Sequence, residues 1–287
     1  NKTIHSNTTS LQSTAANSLT SFNSDGFSLG TDSNGDVNGG GPTTYYGWSW
    51  DGGTSTSSNT DGSITSSVRA NASAGFSIVS FTADGTAGDT VGHGLNAKPE
   101  FIIYKDLEYA QNWGAYHGSV GATYGFNFNT PDARYQDSGY FDNTEPTNSV
   151  ITLGSYVGYF GTHEIIAYCF TPVEGYSAFG SYTGNGSSNG PFVFTGHRAR
   201  FLMIKCATKS GEDWLMLDTE RDTYNDGDSS ALYSSQSHGN NSTSAITTDI
   251  LSNGFKARAT NAAINENGQT YIYMSFAEHP FKTARAR

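Results

Sequence analysis

The 287-residue chain has only two cysteines, few charged side chains and no long apolar run, and each shortage excludes a class of protein. Cys169 and Cys206 are too few for a disulfide framework or a zinc site, so we expect reduced, buried thiols. Lys and Arg number 15 against 26 acidic residues, and the net charge of −11 opposes binding to nucleic acid or anionic membranes. Because no stretch of about 18 consecutive apolar residues occurs, membrane insertion is not expected either.

Aromatic and small polar residues are abundant instead. Aromatic residues make up 13% of the chain, with 17 Tyr, 17 Phe and 4 Trp, whereas charged residues make up only 14%. Disordered chains show the opposite balance, with few aromatics and many charges. We therefore expect a folded chain of short, aromatic-rich strands joined by turns of Gly, Asn and Ser.

Three landmarks occur twice along the chain, in the same order and with nearly the same spacing. The matched pairs are 80–85 with 181–186, 101–105 with 201–205, and Trp113 with Trp214. In each copy an apolar strand ends in a lysine, and the tryptophan follows eight or nine residues later. Such internal similarity is the signature of repeated structural units.

The second half of the unit also recurs, including once at the start of the chain. The matched segments are 24–27 with 252–255, and 46–50 with 167–170 and 273–276. These matches predict a partial, C-terminal half-unit at 1–66 and complete units at 67–174 and 175–287. Because a natural chain seldom begins inside a unit, we also expect this chain to be a fragment of a longer protein.

Each complete unit is predicted to be an antiparallel β-sandwich. Alternating segments such as Tyr124–Asn129 and apolar runs such as Glu100–Lys105 give six or seven strands per unit. The predicted fold class is all-β, with tandem jelly-roll or concanavalin-like sandwiches, two complete and one partial. Lys105 and Lys205, at matching strand ends, are interpreted as edge charges that oppose aggregation.

No sequence motif carries a catalytic mechanism. A nucleophile elbow, a phosphate loop and a His-Glu-x-x-His zinc pattern are all missing. Glycosidases pair two carboxylates across a cleft, but the sequence pairs no two of the candidate loop acids, which are Glu108, Glu174, Glu212, Asp213, Asp218 and Glu220. The prediction is a non-enzymatic protein, with no catalytic residue and no cofactor.

Two loops rich in Asp, Asn and Gly resemble calcium-binding loops weakly. Asp32–Asp36 begins like an EF-hand loop, but Val37 replaces its sharp-turn Gly and Thr43 replaces its bidentate Glu. Asn225–Asp228 offers a second set of oxygen atoms. Since these residue types also favour turns for backbone reasons, plain turns are the preferred interpretation and Ca²⁺ is the alternative.

Exposed aromatic rings are the candidate ligand contacts, because the CH faces of sugars stack on such rings. Five tyrosines lie in or beside Gly-rich segments, where exposure is expected: Tyr45, Tyr46, Tyr156, Tyr159 and Tyr182. The four tryptophans have two interpretations, a sugar-binding platform or core packing, and core packing is preferred. They are Trp48, Trp50, Trp113 and Trp214.

The segment Val91–Ile103 (Val-Gly-His-Gly-Leu-Asn-Ala-Lys-Pro-Glu-Phe-Ile-Ile) resembles one that is common in bacteriophage tail-fibre and virion proteins. Glu174–Gly186 and Thr270–Phe281 resemble repeats in uncharacterised virion proteins of marine phages. That family has no known activity, so the resemblance assigns no catalytic residue. In the second unit Thr195–Ala199 replaces the His-Gly-Leu turn, which indicates scaffolding rather than a binding site.

The resemblance implies a tail fibre, spike or other appendage of the phage particle that attaches to host-surface polysaccharide through many weak contacts. It implies other virion proteins as partners and, by analogy with fibres, a homo-oligomer, with a trimer as the first expectation. One alternative is a capsid decoration or tail scaffold protein that binds no receptor. Another is a carbohydrate-binding or polysaccharide-degrading spike.

Overall fold

The computed structural model describes residues 2–32, 35 and 37–279. Strands hold 39% of the residues and helices 3%, which confirms the predicted all-β fold class. Within the described ranges, helical structure is limited to α1 (Ser138–Phe141) and a 3₁₀ turn at Ser244–Ile246. The side chain of Asp137 caps α1 by accepting the N–H of Gly139.

The first part of the chain forms two small hairpins and an irregular segment. Strand β1 (Lys2–Thr3) pairs with β2 (Ser13–Thr14), and β3 (Leu19–Asn23) pairs with β4 (Gly26–Leu29). The aromatic segment 46–50 matches parts of β-strands in the two later repeats (167–170 and 273–276) but is not itself a strand. A strand needs neighbours for its N–H and C=O groups, and no described strand pairs with this segment.

The first complete unit consists of an eight-stranded antiparallel sheet and a two-stranded sheet. Its strands are β5 (Ser57–Asn59), β6 (Ser66–Asn71), β7 (Phe76–Ala83), β8 (Thr90–Gly92), β9 (Phe101–Asp106), β10 (Gly114–His117), β11 (Tyr124–Asn127), β12 (Tyr135–Gln136), β13 (Val150–Thr152) and β14 (His163–Phe170). The large sheet has the order β12-β11-β10-β9-β14-β7-β6-β5, and the small sheet pairs β13 with β8.

The second complete unit consists of a six-stranded sheet and a three-stranded sheet. Its strands are β15 (Ser177–Thr183), β16 (Phe192–Phe194), β17 (Ala199–Cys206), β18 (Leu215–Asp218), β19 (Ser229–Tyr233), β20 (Asn241–Thr243), β21 (Thr248–Leu251), β22 (Gly254–Ala257) and β23 (Thr270–Ala277). The sheet orders are β20-β19-β18-β17-β23-β15 and β16-β22-β21.

The two units share one topology. The six strands β12-β11-β10-β9-β14-β7 have counterparts in β20-β19-β18-β17-β23-β15, in the same order. The register also matches, because Phe170 pairs with Phe101 and Phe276 pairs with Phe201. The predicted tandem of sandwich units is therefore confirmed, while the boundaries at 66 and 174 stay predictions.

Each large sheet is apolar on both faces. In β9, Ile102 and Tyr104 belong to the core between the large and small sheets of their unit. The alternate residues, Phe101 and Ile103, belong to a second cluster shared with the other unit. Burial of both faces explains why the strands are continuous apolar runs rather than simple alternations.

All three repeats meet in this shared cluster. Trp50, Phe170 and Phe276 hold matching positions in the three repeats, and their rings form a triangle with centroid separations of 6.1, 5.5 and 5.9 Å. Trp113 and Trp214 lie in the same cluster, and both are almost completely buried. The three repeats thus meet at one cluster, and the two tryptophans are core residues.

The matched lysines are buried, so their interpretation as edge charges is wrong. Lys105 and Lys205 have 0% exposed surface. Each lies on a central strand, and the loop after that strand folds back over the ammonium group. Lys105 Nζ donates to the carbonyls of Asp106 and Gln111 at 2.8 and 3.1 Å, and Lys205 Nζ donates to that of Glu212.

His117 links the two complete units and makes their packing sensitive to acid. Its Nε2 donates to the carbonyl of Tyr273 at 3.1 Å, and its Nδ1 accepts the N–H of Ser119 at 3.2 Å. Acceptance at Nδ1 requires the neutral imidazole, because both ring nitrogens are donors in the protonated ring. Burial lowers the pKa of His117 from 6.5 to about 4.

We expect His117 to make the folded state less stable as the pH falls from 6.5 to 4. In that interval His117 is protonated in the unfolded state but stays neutral in the folded state. The free energy of unfolding is therefore expected to fall by about 3 kcal/mol across it. Urea unfolding at several pH values, compared with His117→Asn, measures this contribution. The exposed His238 gives a matched control in His238→Asn. Equal acid sensitivity of the wild type and His117→Asn would contradict the assignment.

Candidate functional site

An exposed cluster of aromatic rings lies on the first complete unit. This aromatic patch consists of Tyr109, Tyr156, Tyr159 and Phe160, and the last two are 56% and 57% exposed. Tyr109 stacks on Phe160 with ring centroids 4.3 Å apart. Tyr159 contacts Phe160 at 4.6 Å and Tyr156 at 6.3 Å. Since contiguous exposed aromatic surface often marks a binding site, the patch is the candidate functional site.

The buried carboxylate of Asp106 fixes one side of the patch. One of its oxygens accepts the N–H groups of Glu108 and Tyr109, at 2.9 and 2.8 Å, which sets the turn that presents the Tyr109 ring. The other oxygen bonds to Nδ1 of His163 at 2.8 Å. The His163 ring in turn stacks on Tyr109 with centroids 5.8 Å apart.

The loop between β13 and β14 carries the other three rings. Gly158 has φ 79°, and a Cβ there would lie 2.4 Å from the carbonyl oxygen of Ala83, so the loop approaches β7 closely only because this residue is glycine. Tyr156 OH donates to Asp137 at 2.7 Å, and its ring meets Tyr140 edge-on. The hydrogen bond to Asp137 raises the pKa of Tyr156, so its phenol stays a neutral donor.

A groove of about 580 Å³ borders the loop that carries Tyr109 of the aromatic patch, because the preceding residue, Glu108, lines it. This hydroxyl groove is lined by Thr56, Ser57, Ser58, Thr65, Ser66, Ser67, Ser80, Phe81, Thr82, Glu108 and Glu164. Glu108 accepts the N–H of Glu164 at 2.8 Å, and Glu164 accepts the hydroxyl of Ser80 at 3.0 Å. The groove therefore presents hydroxyl and carboxylate oxygens next to stacked aromatic rings.

The structure separates the five predicted tyrosines into three environments. Tyr156 and Tyr159 belong to the aromatic patch. Tyr45 and Tyr46 instead line a cleft of about 350 Å³ together with Arg200 and other residues of the second unit. Tyr45 OH donates to a carbonyl and accepts an N–H of its own Gly-rich loop, so it braces that loop.

The prediction that Tyr182 is exposed is wrong. Tyr182 is 9% exposed, stacks on Tyr271 at 4.9 Å and donates its hydroxyl to the carbonyl of Ile264 at 2.7 Å. It pairs with Tyr271 as Phe81 pairs with Ile165, so it takes the core position of Phe81. The match of 80–85 with 181–186 already aligns Tyr182 with Phe81 and so indicates a core position. The expectation of exposure rested instead on the glycines beside Tyr182.

Sequence reasoning missed Tyr109 and Phe160. Phe160 directly follows Tyr159 between two glycines, and the same criterion that selected Tyr159 applies to it. Tyr109 lies in a polar loop without glycine and gives no comparable signal. Its place in the patch depends on contact with a ring that is remote in sequence.

Most of the candidate acids have structural partners. Asp218 is buried against Arg221, with the carboxylate 2.7 Å from Nε, and Glu220 pairs with Arg200. Asp213 accepts from two side chains of the second unit, Ser235 and Gln236. Glu108 alone of the six lines the hydroxyl groove.

Metal and thiol chemistry find little support in the described part of the chain. No three His, Cys, Asp or Glu side chains converge there as metal ligands. Of the two loops interpreted as plain turns with Ca²⁺ as the alternative, 32–36 falls largely outside the described residues, and in the other the side-chain amide of Asn225 hydrogen-bonds to the backbone of Ile250. Cys169 and Cys206 are free and buried, and burial raises the pKa of Cys169 to about 12.

Comparison with known proteins gives a family and no activity. No helix in the described ranges has the length and apolar character needed to cross a bilayer. No curated protein and no solved structure matches the chain. A family profile does match residues 1–280, under the description "Domain of unknown function (DUF7483)". With nearly its whole length matched, the chain belongs to the DUF7483 family.

Proposed function

We propose that this protein is a non-enzymatic attachment protein of a phage particle that binds host-surface polysaccharide through the aromatic patch. The contiguous exposure of Tyr109, Tyr156, Tyr159 and Phe160 is the observation that carries the proposal. Aromatic faces stack on the CH faces of sugar rings, and the oxygens of the hydroxyl groove are suited to hydrogen-bond sugar hydroxyls. The resemblance to virion repeat proteins supplies the particle context.

Attachment by such a surface relies on copy number. A shallow patch gives weak affinity per site, and an oligomer multiplies it by presenting several copies to one polysaccharide. We therefore propose a homo-oligomer, with a trimer as the first expectation, held among other virion proteins.

Combining Tyr159→Ala with Phe160→Ala is expected to weaken polysaccharide binding by about tenfold or more, because two stacking faces are lost. A glycan array identifies the ligand, and titration of that ligand measures the change. Tyr224→Ala is the matched control, since Tyr224 is 80% exposed and belongs to the second unit rather than to the aromatic patch. Equal losses in both variants would contradict the assignment, and release of reducing ends from the ligand would show hydrolysis instead.

A scaffold role without receptor binding is the second candidate function. The hairpin β3–β4 favours it, because Phe22 and Phe27 are 83% and 47% exposed there. Exposed apolar residues on a hairpin suit contact with another protein of the particle. An array without any bound glycan, together with particle assembly that fails in Phe22→Ser, supports this candidate.

A further inference from the structure

A second, smaller cavity of about 310 Å³ borders the aromatic patch. Tyr156 belongs to both, and the two residues that follow Tyr109 in the chain also line the cavity. Three phenols and three side-chain amides dominate this phenol–amide pocket, and they are Tyr104, Tyr140, Tyr156, Gln111, Asn112 and Asn127. Since small-molecule sites occupy about 300 to 1,000 Å³, the pocket has the size for a single sugar residue.

The second unit has no such pocket at the equivalent place. In the first unit Gly114 of β10 lies opposite Tyr104 on one side and opposite Asn127 on the other. The matching positions of the second unit belong to its apolar core or pack against it, and they are Leu215, Ile204 and Tyr233. The shared fold therefore does not require a polar pocket here, and the phenols and amides are particular to the first unit.

Two glycines give the tyrosine rings of the pocket their room. A Cβ at Gly114 would lie 2.2 Å from Cζ of Tyr104, and a Cβ at Gly125 would lie 2.2 Å from Cγ of Tyr140. Each ring thus occupies the space that a side chain on the neighbouring strand would fill. The pocket is formed in advance by rings packed against the sheet, which lowers the cost of ordering it around a ligand.

Several polar groups of the pocket have no partner among the described residues. Tyr104 is only 7% exposed, yet its hydroxyl forms no hydrogen bond within that part of the chain. Oδ1 of Asn127 accepts the hydroxyl of Tyr140 at 2.8 Å, and Oδ1 of Asn112 accepts Nδ2 of Asn129 at 2.9 Å. These bonds orient both amides and leave their NH₂ groups as donors for a ligand.

The electrostatics of the site favour an uncharged ligand. Among the described residues that line the pocket, none carries a charge. The ammonium group of Lys105 holds the adjoining loop from behind, but it has 0% exposed surface and donates to four backbone carbonyls, so it does not reach a ligand. The charges nearer the surface are acidic, with Asp137 bonded to Tyr156 OH and with Glu108 and Glu164 in the hydroxyl groove.

We propose that the phenol–amide pocket binds one uncharged sugar residue of the polysaccharide that stacks on the aromatic patch, through hydrogen bonds from its hydroxyls to Tyr104, Asn112 and Asn127. This inference rests on the proposed function, because it extends the same binding surface. Stacking alone accepts many sugars, whereas fixed donors and acceptors accept only those whose hydroxyls meet them. The pocket thus supplies the specificity that the patch lacks, and it excludes uronic acids and sulfated sugars.

Methyl glycosides of glucose, galactose, mannose and N-acetylglucosamine serve as probes, with the glycosides of glucuronic and galacturonic acid as charged counterparts. Saturation-transfer NMR with the 287-residue chain measures their binding. At least one neutral glycoside is expected to bind saturably, with a Kd of about 1 mM or above. The uronic acids are expected to bind at least about tenfold more weakly than the neutral sugar, because the acidic surroundings repel the carboxylate.

Tyr104→Phe removes only a hydroxyl that has no partner among the described residues. We expect the neutral glycoside to bind this variant about tenfold more weakly, while urea unfolding shows the stability of the wild type. Gln111→Ala, which changes a different wall of the pocket, is expected to weaken binding as well. Tyr224→Phe is the matched control, since it removes a phenol hydroxyl from an exposed residue of the second unit and leaves binding unchanged.

The pocket and the patch can fail separately. Absence of saturable binding by every neutral glycoside, equal binding to the wild type and Tyr104→Phe, or tighter binding of a uronic acid overturns the inference. If polysaccharide binding is then lost in the Tyr159→Ala, Phe160→Ala double variant alone, the attachment proposal stands without the pocket. Glycoside binding that falls in Tyr104→Phe, in a chain that binds no polysaccharide, supports the pocket and contradicts attachment.

Discussion

Lys205→Ala is expected to destabilise the fold by about 3 to 5 kcal/mol. The substitution empties the space of a side chain with 0% exposure and leaves the carbonyls of Pro131 and Glu212 without their donor. Removing the buried charge offsets part of this loss of stability. Burial disfavours the charged ammonium group, which is why it lowers the pKa of Lys205 from 10.5 to about 8. The cavity and the two unpaired carbonyls outweigh that gain.

Denaturant unfolding measures the effect, with Lys256→Ala as the control. Lys256 donates to Asn189 at the surface, and its loss is expected to change stability by about 0.5 kcal/mol or less. Equal effects of the two substitutions would show that the carbonyl contacts of Lys205 contribute nothing.

The same lysine predicts an unusual response to alkali. Between pH 8 and about 9.5 the unfolded chain keeps a lysine proton that the folded chain has lost, so the stability contributed by Lys205 rises with pH. Above that range the buried tyrosines act against this rise in stability. Burial raises the pKa values of Tyr104 and Tyr182, so both ionise more readily in the unfolded chain, and their contribution to stability falls as the pH rises. Lys205→Met keeps the apolar stem and is expected to remove the part of the rise that Lys205 contributes, whereas the part from Lys105, whose pKa burial also lowers, remains.

The repeated architecture was predictable from the sequence because matched segments keep both residue type and spacing. Phe101 and Phe201 pair with equivalent partners, and Trp113 and Trp214 share one cluster. Segment 46–50 matched by composition yet forms no strand, because strand structure also needs flanking partners that composition does not reveal.

The lysines could not be interpreted correctly from local pattern. A lysine at the end of an apolar run is typical of a solvent-facing strand end, and only the loop that folds back over Lys105 makes it a core residue. The aromatic patch was predictable only in part, because a loop that is distant in the sequence supplies one of its rings. Tyr156 and Tyr159 lie in one Gly-rich loop, whereas Tyr109 joins them through a contact between distant parts of the chain.

Trp214→Ala is expected to cost about 3 to 5 kcal/mol and to loosen both complete units together. Its ring packs on Phe101, Phe126 and Phe128 of the first unit with centroids 6.2, 5.5 and 5.0 Å away. Trp214→Phe keeps most of this packing but removes the bond to Asn127 O, and about 1 to 3 kcal/mol is expected for that change.

Trp113 offers the matched comparison, because it holds the equivalent position against the incomplete N-terminal repeat. Its ring lies near Phe128 at 6.4 Å and donates to His5 O, with less aromatic packing than Trp214 has. We therefore expect Trp113→Ala to cost less than Trp214→Ala. Fluorescence and far-UV circular dichroism should report one coincident transition for each variant, because the shared cluster couples the sheets. Two separated transitions, with only the second unit affected by Trp214→Ala, would show that the units fold independently and that the shared cluster does not hold them together.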